Sequence, residues 1–157
     1  MKKTLIVYFS ATGTTKAAAQ RLAKEHNADL YEITPEQPYT AADLDWRNEQ
    51  SRSSVEMRDP DERPTIKRCT DVTPYDTVYV GFPIWWGEEP RIMDTFAESY
   101  NFDGITVIPF CTSGSSGIGR SGQNLADNAG SGNWIEGKRF GGGASEDEIR
   151  SWIEGLQ

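Results

Sequence analysis

Short, nearly continuous apolar runs alternate along this chain with longer segments in which apolar residues recur at helical spacing. Runs such as TVYVGF and ITVIPFC are too uniformly apolar for strands with one solvated face, and they predict a parallel sheet covered on both faces. The pattern predicts strands at Lys3–Phe9, Asp29–Ile33, Thr77–Phe82, Ile105–Cys111 and roughly Trp134–Phe140. It predicts helices at Thr14–His26, Pro90–Tyr100, Ser121–Ala129 and Ser145–Gly155. This alternation indicates an α/β fold with a doubly wound sheet.

The segment between Pro35 and Pro74 breaks this rhythm because it is polar and rich in charged residues. Residues 41–57 allow a surface helix, which the two prolines of RDPDERP prevent from continuing. We interpret the segment as a surface helix followed by a long loop rather than as a second domain. Residues 1–157 are therefore expected to form a single domain, for which the chain is long enough.

Charge and composition exclude several classes of function. The net charge of −8 argues against nucleic acid as a partner, because phosphate backbones require a basic face. It suits docking on basic partners, although acidity also simply keeps proteins soluble. No stretch approaches the roughly 20 apolar residues of a membrane span, and the apolar run at Thr4–Phe9 is too short for a signal peptide. No membrane association and a cytoplasmic location are therefore expected.

The cysteines and the single histidine give little support for metal or nucleophilic chemistry. Cys69 and Cys111 form no CxxC pair, so a zinc or dithiol site is not expected and both are interpreted as core or loop residues. His26 ends a predicted helix, where a cap or surface role is usual. A His-based triad and a multi-histidine metal site are therefore not supported, and no catalytic residue or metal ligand is assigned.

The loop SATGTT, from Ser10 to Thr15, leaves the carboxyl end of the first strand and enters the first helix. The first amides of a helix lack internal partners and lie at the positive end of its dipole. One glycine and four hydroxyls suit a tight turn around a phosphate monoester, with no arginine required. A plain turn with a helix cap is the alternative. The position favours phosphate, because open parallel sheets bind ligands beyond the carboxyl ends of their strands.

Two further loops leave the same edge of the predicted sheet. They are PIWWGEEP at Pro83–Pro90 and TSGSSGIG at Thr112–Gly119. Strands bury alternate residues, so Trp85 and Trp86 cannot both point inward, and one is expected to face a ligand. A flat conjugated ring is the natural partner of an exposed indole, although both tryptophans could instead cover the edge of the core. The Gly- and Ser-rich loop can approach a ring edge closely.

Together these three loops resemble those of the flavodoxin-like family of FMN-binding proteins, over nearly the whole chain. The resemblance is to bacterial flavodoxins with a WWG ring loop and a long polar connection before the third strand. It implies a flavodoxin-like three-layer α/β/α sandwich with a five-stranded parallel sheet in the order 2-1-3-4-5. It also implies that the first loop holds the FMN phosphate and the other two hold the ring and the ribityl chain. The implied cofactor contacts are Ser10, Ala11, Thr12, Gly13, Thr14, Thr15, Pro83, Ile84, Trp85, Trp86, Gly87, Thr112, Ser113, Gly114, Ser115 and Gly117.

The last ring loop departs from electron-carrier flavodoxins, because residues 112–122 supply no stacking aromatic side chain. One face of the ring is then open, or is covered by Trp46 or by arginines of the 35–74 connection. The first hypothesis is an electron carrier that uses bound FMN to serve redox partner proteins with basic docking faces. The second is an FMN-dependent NAD(P)H:quinone-type oxidoreductase, which an open ring face suits. The third is a non-catalytic binding module, against which Trp85 and Trp86 argue.

Contacts to the ring tune the reactivity of a bound flavin. A neutral ring loop with no nearby cation disfavours negative charge near N1 of the reduced ring and lowers its potential. A backbone carbonyl beside Gly87 or Gly114 could flip toward N5 at little conformational cost.

Gly117, Gly119 and Gly122 also match the pattern G-x-G-x-x-G of dinucleotide sites. That fingerprint belongs in the first strand–helix turn, with an acidic residue about 20 positions further on. Here the pattern follows the fourth strand, and Gly142 stands 20 positions beyond Gly122. We interpret these residues as ring-loop glycines.

Overall fold

The computed structural model of the chain describes residues 3–67, 71–114, 117–141 and 145–156. The strands within these ranges are β1 Thr4–Tyr8, β2 Asp29–Glu32, β3 Thr77–Pro83, β4 Thr106–Thr112, β5 Asn133–Trp134 and β6 Lys138–Phe140. The helices are α1 Thr14–His26, α2 Arg52–Arg58, α3 Arg91–Ser99, α4 Ser121–Ala129 and α5 Glu146–Gly155. In this described part, none of the helices has the length and apolarity needed to cross a bilayer.

The strands pair in parallel in the order β2-β1-β3-β4-β5, with β6 also paired to β4. The predicted strand order and the three-layer α/β/α sandwich are thus confirmed. Side-chain alternation along β1 divides the core into two clusters. Leu5 and Val7 belong to the cluster that contains residues of α3 and α4. Ile6 and Tyr8 belong to the cluster on the opposite face, with residues of α1 and α5.

The edge strand predicted over 134–140 is split in two, and Pro109 of β4 accounts for the split. Val107 accepts a hydrogen bond from the amide of Ile135 at 3.1 Å, so its polar backbone groups face this edge. Alternate residues of a strand face the same neighbour, so Pro109 faces this edge too and has no N–H to donate. Pairing resumes at Phe110 with Lys138, after one extra residue on the edge strand. The interruption is therefore a β-bulge.

The helix predicted over residues 41–57 is wrong in its first two thirds, because α2 begins only at Arg52. Polar side chains instead bond their own local backbone: the carboxylate of Asp45 accepts from Arg47 N at 3.2 Å, and the amide oxygen of Asn48 accepts from Gln50 N at 2.9 Å. Such local bonds compete with helix formation. The helix starts where Ser51 Oγ accepts from Ser54 N and caps it.

This long connection is tied firmly to the rest of the molecule. The guanidinium of Arg91, on α3, donates to the carbonyl of Met57 at 3.0 Å. Arg63 pairs with Glu98, also on α3, at 2.9 Å. The connection therefore packs against the α3 side of the sheet.

Neither His26 nor Cys111 is an exposed reactive side chain. His26 is half-buried, and its Nε2 lies 2.6 Å from the hydroxyl of Tyr79, so the expected cap or surface role is replaced by a side-chain contact. Cys111 is buried in β4, as expected of a core residue. Cys69 lies outside the described residues.

We expect Gly81→Ala to lower the free energy of unfolding by about 2 kcal/mol, since overpacking a tight core costs that much. A Cβ added at Gly81 would stand 2.2 Å from Cζ of the Phe110 ring. Urea denaturation of the two proteins measures the difference. Gly155→Ala on α5 is the matched control, because a Cβ there meets open space, and it should not destabilise the protein. Equal midpoints for Gly81→Ala and the parent would contradict the packing described.

Candidate functional site

Three loops meet at the carboxyl edge of the sheet, one each after β1, β3 and β4. Register brings their starting points level, because Tyr8 pairs with Gly81 and Pro83 pairs with Thr112. Each loop then leads into a helix, namely α1, α3 and α4. This edge is where open parallel sheets bind ligands.

The first loop is folded around the hydroxyl of Ser10. Ser10 Oγ accepts from the amide of Gly13 at 3.0 Å and from the amide of Lys16 at 3.1 Å. Gly13 stands at the N-cap with φ of 96°, a left-handed conformation that glycine adopts without a steric penalty. Ser10 and Gly13 therefore shape a tight turn at the start of α1.

Unpaired amides remain at this turn. Within the described residues, the backbone N–H groups of Thr12, Thr14 and Thr15 make no hydrogen bond. The N-cap residue Gly13 has no side chain that could cap α1, and the first turn of the helix contains no acidic residue. The side chains of Thr12 and Thr14 are exposed. The turn thus offers amide and hydroxyl donors at the positive end of a helix, which suits an anion.

A direct bond joins the first loop to the third. Thr15 Oγ1 and Thr112 Oγ1 lie 2.7 Å apart, and both residues are buried. The two predicted contact residues therefore bond each other across the sheet edge. Thr15 is only 1% exposed, and its hydroxyl holds the first and third loops together.

The second loop forms a tight turn at Trp86 and Gly87. Trp85 N donates to Glu88 O at 2.9 Å, and Glu88 N donates to Trp85 O at 3.1 Å. Trp86 has φ of 51° and Gly87 has φ of 78°, which is the pattern of a type I′ turn. Tryptophan in this left-handed region costs about 1–3 kcal/mol, and such strain clusters at functional sites.

The two tryptophans point in different directions, as their adjacency predicts. The ring of Trp85 packs edge-on against Phe9 at 5.8 Å and Tyr39 at 5.5 Å between centroids. Trp86 is 51% exposed. Ile84 donates its amide to Thr112 O at 3.1 Å, which extends the link from the second loop to the third. Trp85 therefore anchors the turn, and Trp86 is presented at its tip.

The third loop is held by β6. Ser113 N donates to Phe140 O at 3.1 Å. Arg139 donates from Nε to Ser113 Oγ at 3.0 Å and from Nη2 to the carbonyls of Ser113 and Gly114 at 2.9 and 2.8 Å. A cation therefore lies beside this loop. Sequence pattern places Arg139 in the edge strand but carries no signal for this contact with the third loop.

The remainder of the third loop turns back toward the second. Gly119 has φ of 55°, and a Cβ added there would lie 3.6 Å from the carbonyl oxygen of Gly87. Gly117 is exposed. Ser115 lies outside the described residues.

Trp46 of the long connection reaches the second loop. It shares a cavity of about 240 Å³ with Ile84, Trp85 and Trp86. A neighbouring cavity of about 250 Å³ is lined by Trp46, Glu49, Ser54, Met57, Arg58 and Trp86. Trp46 is 65% exposed, and the guanidinium of Arg47 lies 5.1 Å from its ring centroid. The connection thus contributes an apolar wall beside the Trp86 turn.

Other arginines of the connection serve its own structure. The guanidinium of Arg52 lies 3.8 Å from the ring centroid of Tyr39 and bonds Glu56 at 2.9 Å. Tyr39 in turn donates its hydroxyl to Glu56 at 2.6 Å and contacts Trp85. Burial is the main cause that raises the pKa of Tyr39 well above its usual range, so this phenol stays protonated as a donor. Arg52 and Glu56 thus hold Tyr39 in the position where it packs against the inward-facing Trp85.

Two buried carboxyl groups lie at the end of the second loop and in the helix that follows it. Glu89 is 1% exposed and accepts from Asn124 Nδ2 at 3.0 Å. Burial raises its pKa to about 7, and the nearby charge of Asp94 adds to the rise. Burial also raises the pKa of Asp94 to about 6, although Arg63 opposes the change. Sequence reasoning missed this pair because EEP after a turn looks like a solvated acidic run.

The chain is similar to a known protein family and to solved structures. The sequence profile of the family described as Flavodoxin matches residues 3–156. A flavoprotein from Bacteroides uniformis is 49% identical, with a TM-score of 0.92 and coverage of 98% of both chains. A flavoprotein from Bacteroides eggerthii is 48% identical, with a TM-score of 0.92, and the match covers 99% of this chain and 98% of that one.

A more distant structure was solved with a ligand. The flavoprotein of Lactobacillus acidophilus in complex with FMN is 23% identical, with a TM-score of 0.73 and coverage of 98% of this chain and 99% of that one. At this identity the likeness concerns the fold alone. Among curated proteins, none matches the chain.

We expect Trp85→Ala to lower the free energy of unfolding by about 2–3 kcal/mol, because it removes a packed aromatic ring. Trp86→Gly should leave it unchanged or raise it by about 1 kcal/mol, since it relieves the left-handed strain. Urea denaturation of both variants tests the assignment of one inward and one exposed indole. Equal losses in the two variants would contradict it.

Glu89 should make stability depend on pH. In the folded protein the Glu89 carboxyl keeps its proton up to about pH 7. In the unfolded chain the same carboxyl loses its proton near the ordinary pKa of glutamate. The folded state binds more protons in that window, so stability falls as pH rises through it. Glu89→Gln should reduce this dependence to the smaller part that the raised pKa of Asp94 causes, and it should exceed the parent by about 3 kcal/mol at pH 8.

Thermal or urea unfolding at pH 4.5, 6 and 8 measures the effect. Glu88→Gln is the matched control, because Glu88 is only half-buried and bonds Arg91. A Glu89→Gln variant whose stability runs parallel to the parent at all three pH values would contradict the assignment.

Proposed function

This chain belongs to the flavodoxin family, and on that premise we propose that it binds FMN and carries electrons between redox enzymes. The observation that carries the proposal is the bond between Thr15 and Thr112. It holds a helix N-terminus with unpaired amides against the loop that follows β4. An FMN-bound structure with the same fold, that of the Lactobacillus acidophilus flavoprotein, supports FMN as the cofactor.

The turn after β1 is the proposed phosphate site. Residues 10–15 would hold the phosphate monoester through the free amides of Thr12, Thr14 and Thr15 and the exposed hydroxyls of Thr12 and Thr14. Ser10 shapes the turn through its two accepted hydrogen bonds and keeps its own proton available to donate. The positive end of α1 adds a favourable field for the anion.

The loops after β3 and β4 are the proposed site of the ring and the ribityl chain. Residues 83–87 supply Trp86 at a strained turn tip, and residues 112–115 and 117 supply small side chains and backbone groups. When bound, FMN supplies the redox chemistry, and the protein tunes it through contacts to the ring.

Electron transfer to other proteins is supported by the distribution of charge and exposed indoles. The chain has a net charge of −8, which steers it onto partners with basic docking faces. Trp46 and Trp86 are 65% and 51% exposed beside the proposed ring site. We place the carrier in the cytoplasm, where its partners would be redox enzymes.

One observation favours a second candidate function, an FMN-dependent NAD(P)H:quinone-type oxidoreductase. The cavity of about 250 Å³ beside Trp86 is walled mainly by the apolar side chains of Trp46, Met57 and Trp86, and its lining also includes Arg58, Glu49 and Ser54. Arg58 is exposed, whereas Arg52 and Arg63 of the same connection are engaged in ion pairs. A flat substrate with an anionic group would suit this combination.

Anaerobic reductive titration of the FMN-loaded protein, followed by absorbance, separates the two candidates. We expect the one-electron-reduced flavin to accumulate midway, because a carrier exchanges single electrons. Electron delivery to cytochrome c, a basic acceptor protein, should slow as salt is added. Direct passage to the two-electron-reduced form, with steady NADPH consumption in the presence of a naphthoquinone, would contradict the carrier function and favour the oxidoreductase.

Removal of the two exposed hydroxyls should weaken FMN binding. We expect Thr12→Val and Thr14→Val each to lower the affinity about tenfold, because each removes a hydrogen bond to a charged group. Quenching of FMN fluorescence on titration with protein measures the affinity. Thr65→Val, at an exposed threonine of the connection, is the matched control. Unchanged affinity in both loop variants would show that the FMN phosphate does not bind at this turn.

A further inference from the structure

Resting on the proposed FMN site, we propose that Arg139 is a positioning residue that fixes the loop after β4 and stabilises negative charge on the reduced cofactor. Arg139 lies on β6, outside the three loops that resemble the family's binding loops. It enters the site only through the parallel pairing of Cys111 with Arg139.

The guanidinium holds the loop at three points. Nε donates to Ser113 Oγ at 3.0 Å, and Nη2 donates to Ser113 O at 2.9 Å and to Gly114 O at 2.8 Å. Ser113 is also bonded to β6 through its amide, which donates to Phe140 O. Two successive carbonyls thus point at one planar group, a geometry that the rigid donor fork of arginine favours and that lysine cannot reproduce.

This arrangement fixes the direction of an amide. Gly114 N–H belongs to the same trans peptide as the carbonyl of Ser113, and the two groups of a planar trans peptide point in opposite directions. Because Ser113 O points at Arg139, Gly114 N–H points away from it. Within the described residues this N–H has no hydrogen-bond partner. The loop therefore presents a free donor on the side away from Arg139.

The positive charge of Arg139 is not neutralised nearby. All three of its acceptors are uncharged, and in the described part of the chain no carboxylate forms an ion pair with it. Its charge acts on the adjacent strand. Burial raises the pKa of the Cys111 thiol to about 12, and Arg139 opposes that rise. In a protein of net charge −8, this is a local positive field at the site.

Electrons added to a ring at this loop bring negative charge with them. A fixed cation and an oriented amide donor favour that charged form over the less reduced one. Arg139 should therefore raise the potential of the second one-electron step. The expected size is about tenfold in the equilibrium constant, which corresponds to about 59 mV for one electron.

Two substitutions separate charge from position. Arg139→Gln removes the charge and most of the donor fork, and Arg139→Lys keeps the charge without the fork. Arg150→Gln on α5 is the matched control for lost charge. Arg150 pairs with Glu25 near the far end of α1, about 15 Å along that helix from the phosphate turn.

Dithionite titration of each FMN-loaded protein against a reference dye gives the two potentials, and fluorescence gives FMN affinity. We expect Arg139→Gln to lower the potential of the second one-electron step by about 59 mV, which is a tenfold change in the equilibrium constant. The same variant should bind FMN more weakly. Arg139→Lys should lower the potential less than Arg139→Gln does, because it keeps the charge without the fork, and it should also weaken binding. Arg150→Gln should change neither quantity. Parent values in Arg139→Gln for both quantities would overturn the inference.

A measurement on the ligand-free protein keeps the inference separate from the proposed function. Amide hydrogen exchange at Ser113, followed by NMR, should be faster in Arg139→Gln than in the parent, because the loop loses its clamp. Failure of the parent to bind FMN would overturn the proposed function, whereas unchanged exchange at Ser113 would overturn the positioning role itself.

Discussion

The register of β4 between its two neighbours is the constraint on which the site depends. Pairing of Pro83 with Thr112 makes β3 and β4 end level, so the loops that follow them start side by side. The same register lets Thr112 reach Thr15 and bond its hydroxyl at 2.7 Å. On the other side, Pro109 interrupts the edge strand, and the bulge that follows sets Arg139 opposite Cys111. β4 therefore links the first, second and third loops to one another and to Arg139.

The adjacent residues Trp85 and Trp86 have different structural roles. Trp85 packs against Phe9 and Tyr39 and anchors the turn to the core. That anchor lets the next residue hold a left-handed conformation, which isolated tryptophan would avoid. The long connection completes the arrangement, because Arg52 and Glu56 hold Tyr39 in place. The long connection, whose polar sequence is typical of a solvated loop, thus supports the turn at Trp86.

Charge is distributed unevenly around the three loops. At the end of the second loop lies Glu89, and Asp94 lies in the helix that follows; both are buried and both have raised pKa values. Beside the third loop lies Arg139, whose acceptors are neutral. Burial keeps Glu89 partly protonated near pH 7, which reduces its negative charge there. The environment of the proposed ring is thus less acidic than the overall charge of the chain suggests.

Local pattern was sufficient for most of the fold. Uninterrupted apolar runs allow only covered parallel strands, and alternation with helices leaves few possible sheet orders, so β1, β3 and β4 and their helices were predicted within a residue or two. The three loops were located for the same reason, because strand direction alone places their starts at one edge. The helix over 41–57 was misjudged because side-chain bonds by Asp45 and Asn48 outweigh a loosely spaced apolar pattern.

Tertiary structure decided what depends on register and burial. A shift of one residue in an edge strand turns every side chain to the other face, so the bulge opposite Pro109, and not the sequence near Arg139, brings that guanidinium to Ser113. Glu89 looks like part of a solvated acidic run, and only packing between α3 and α4 shows it to be buried. The sequence by itself determined where the loops begin. The folded chain alone determined which charges surround them, because charges act through distance in space and not through position along the chain.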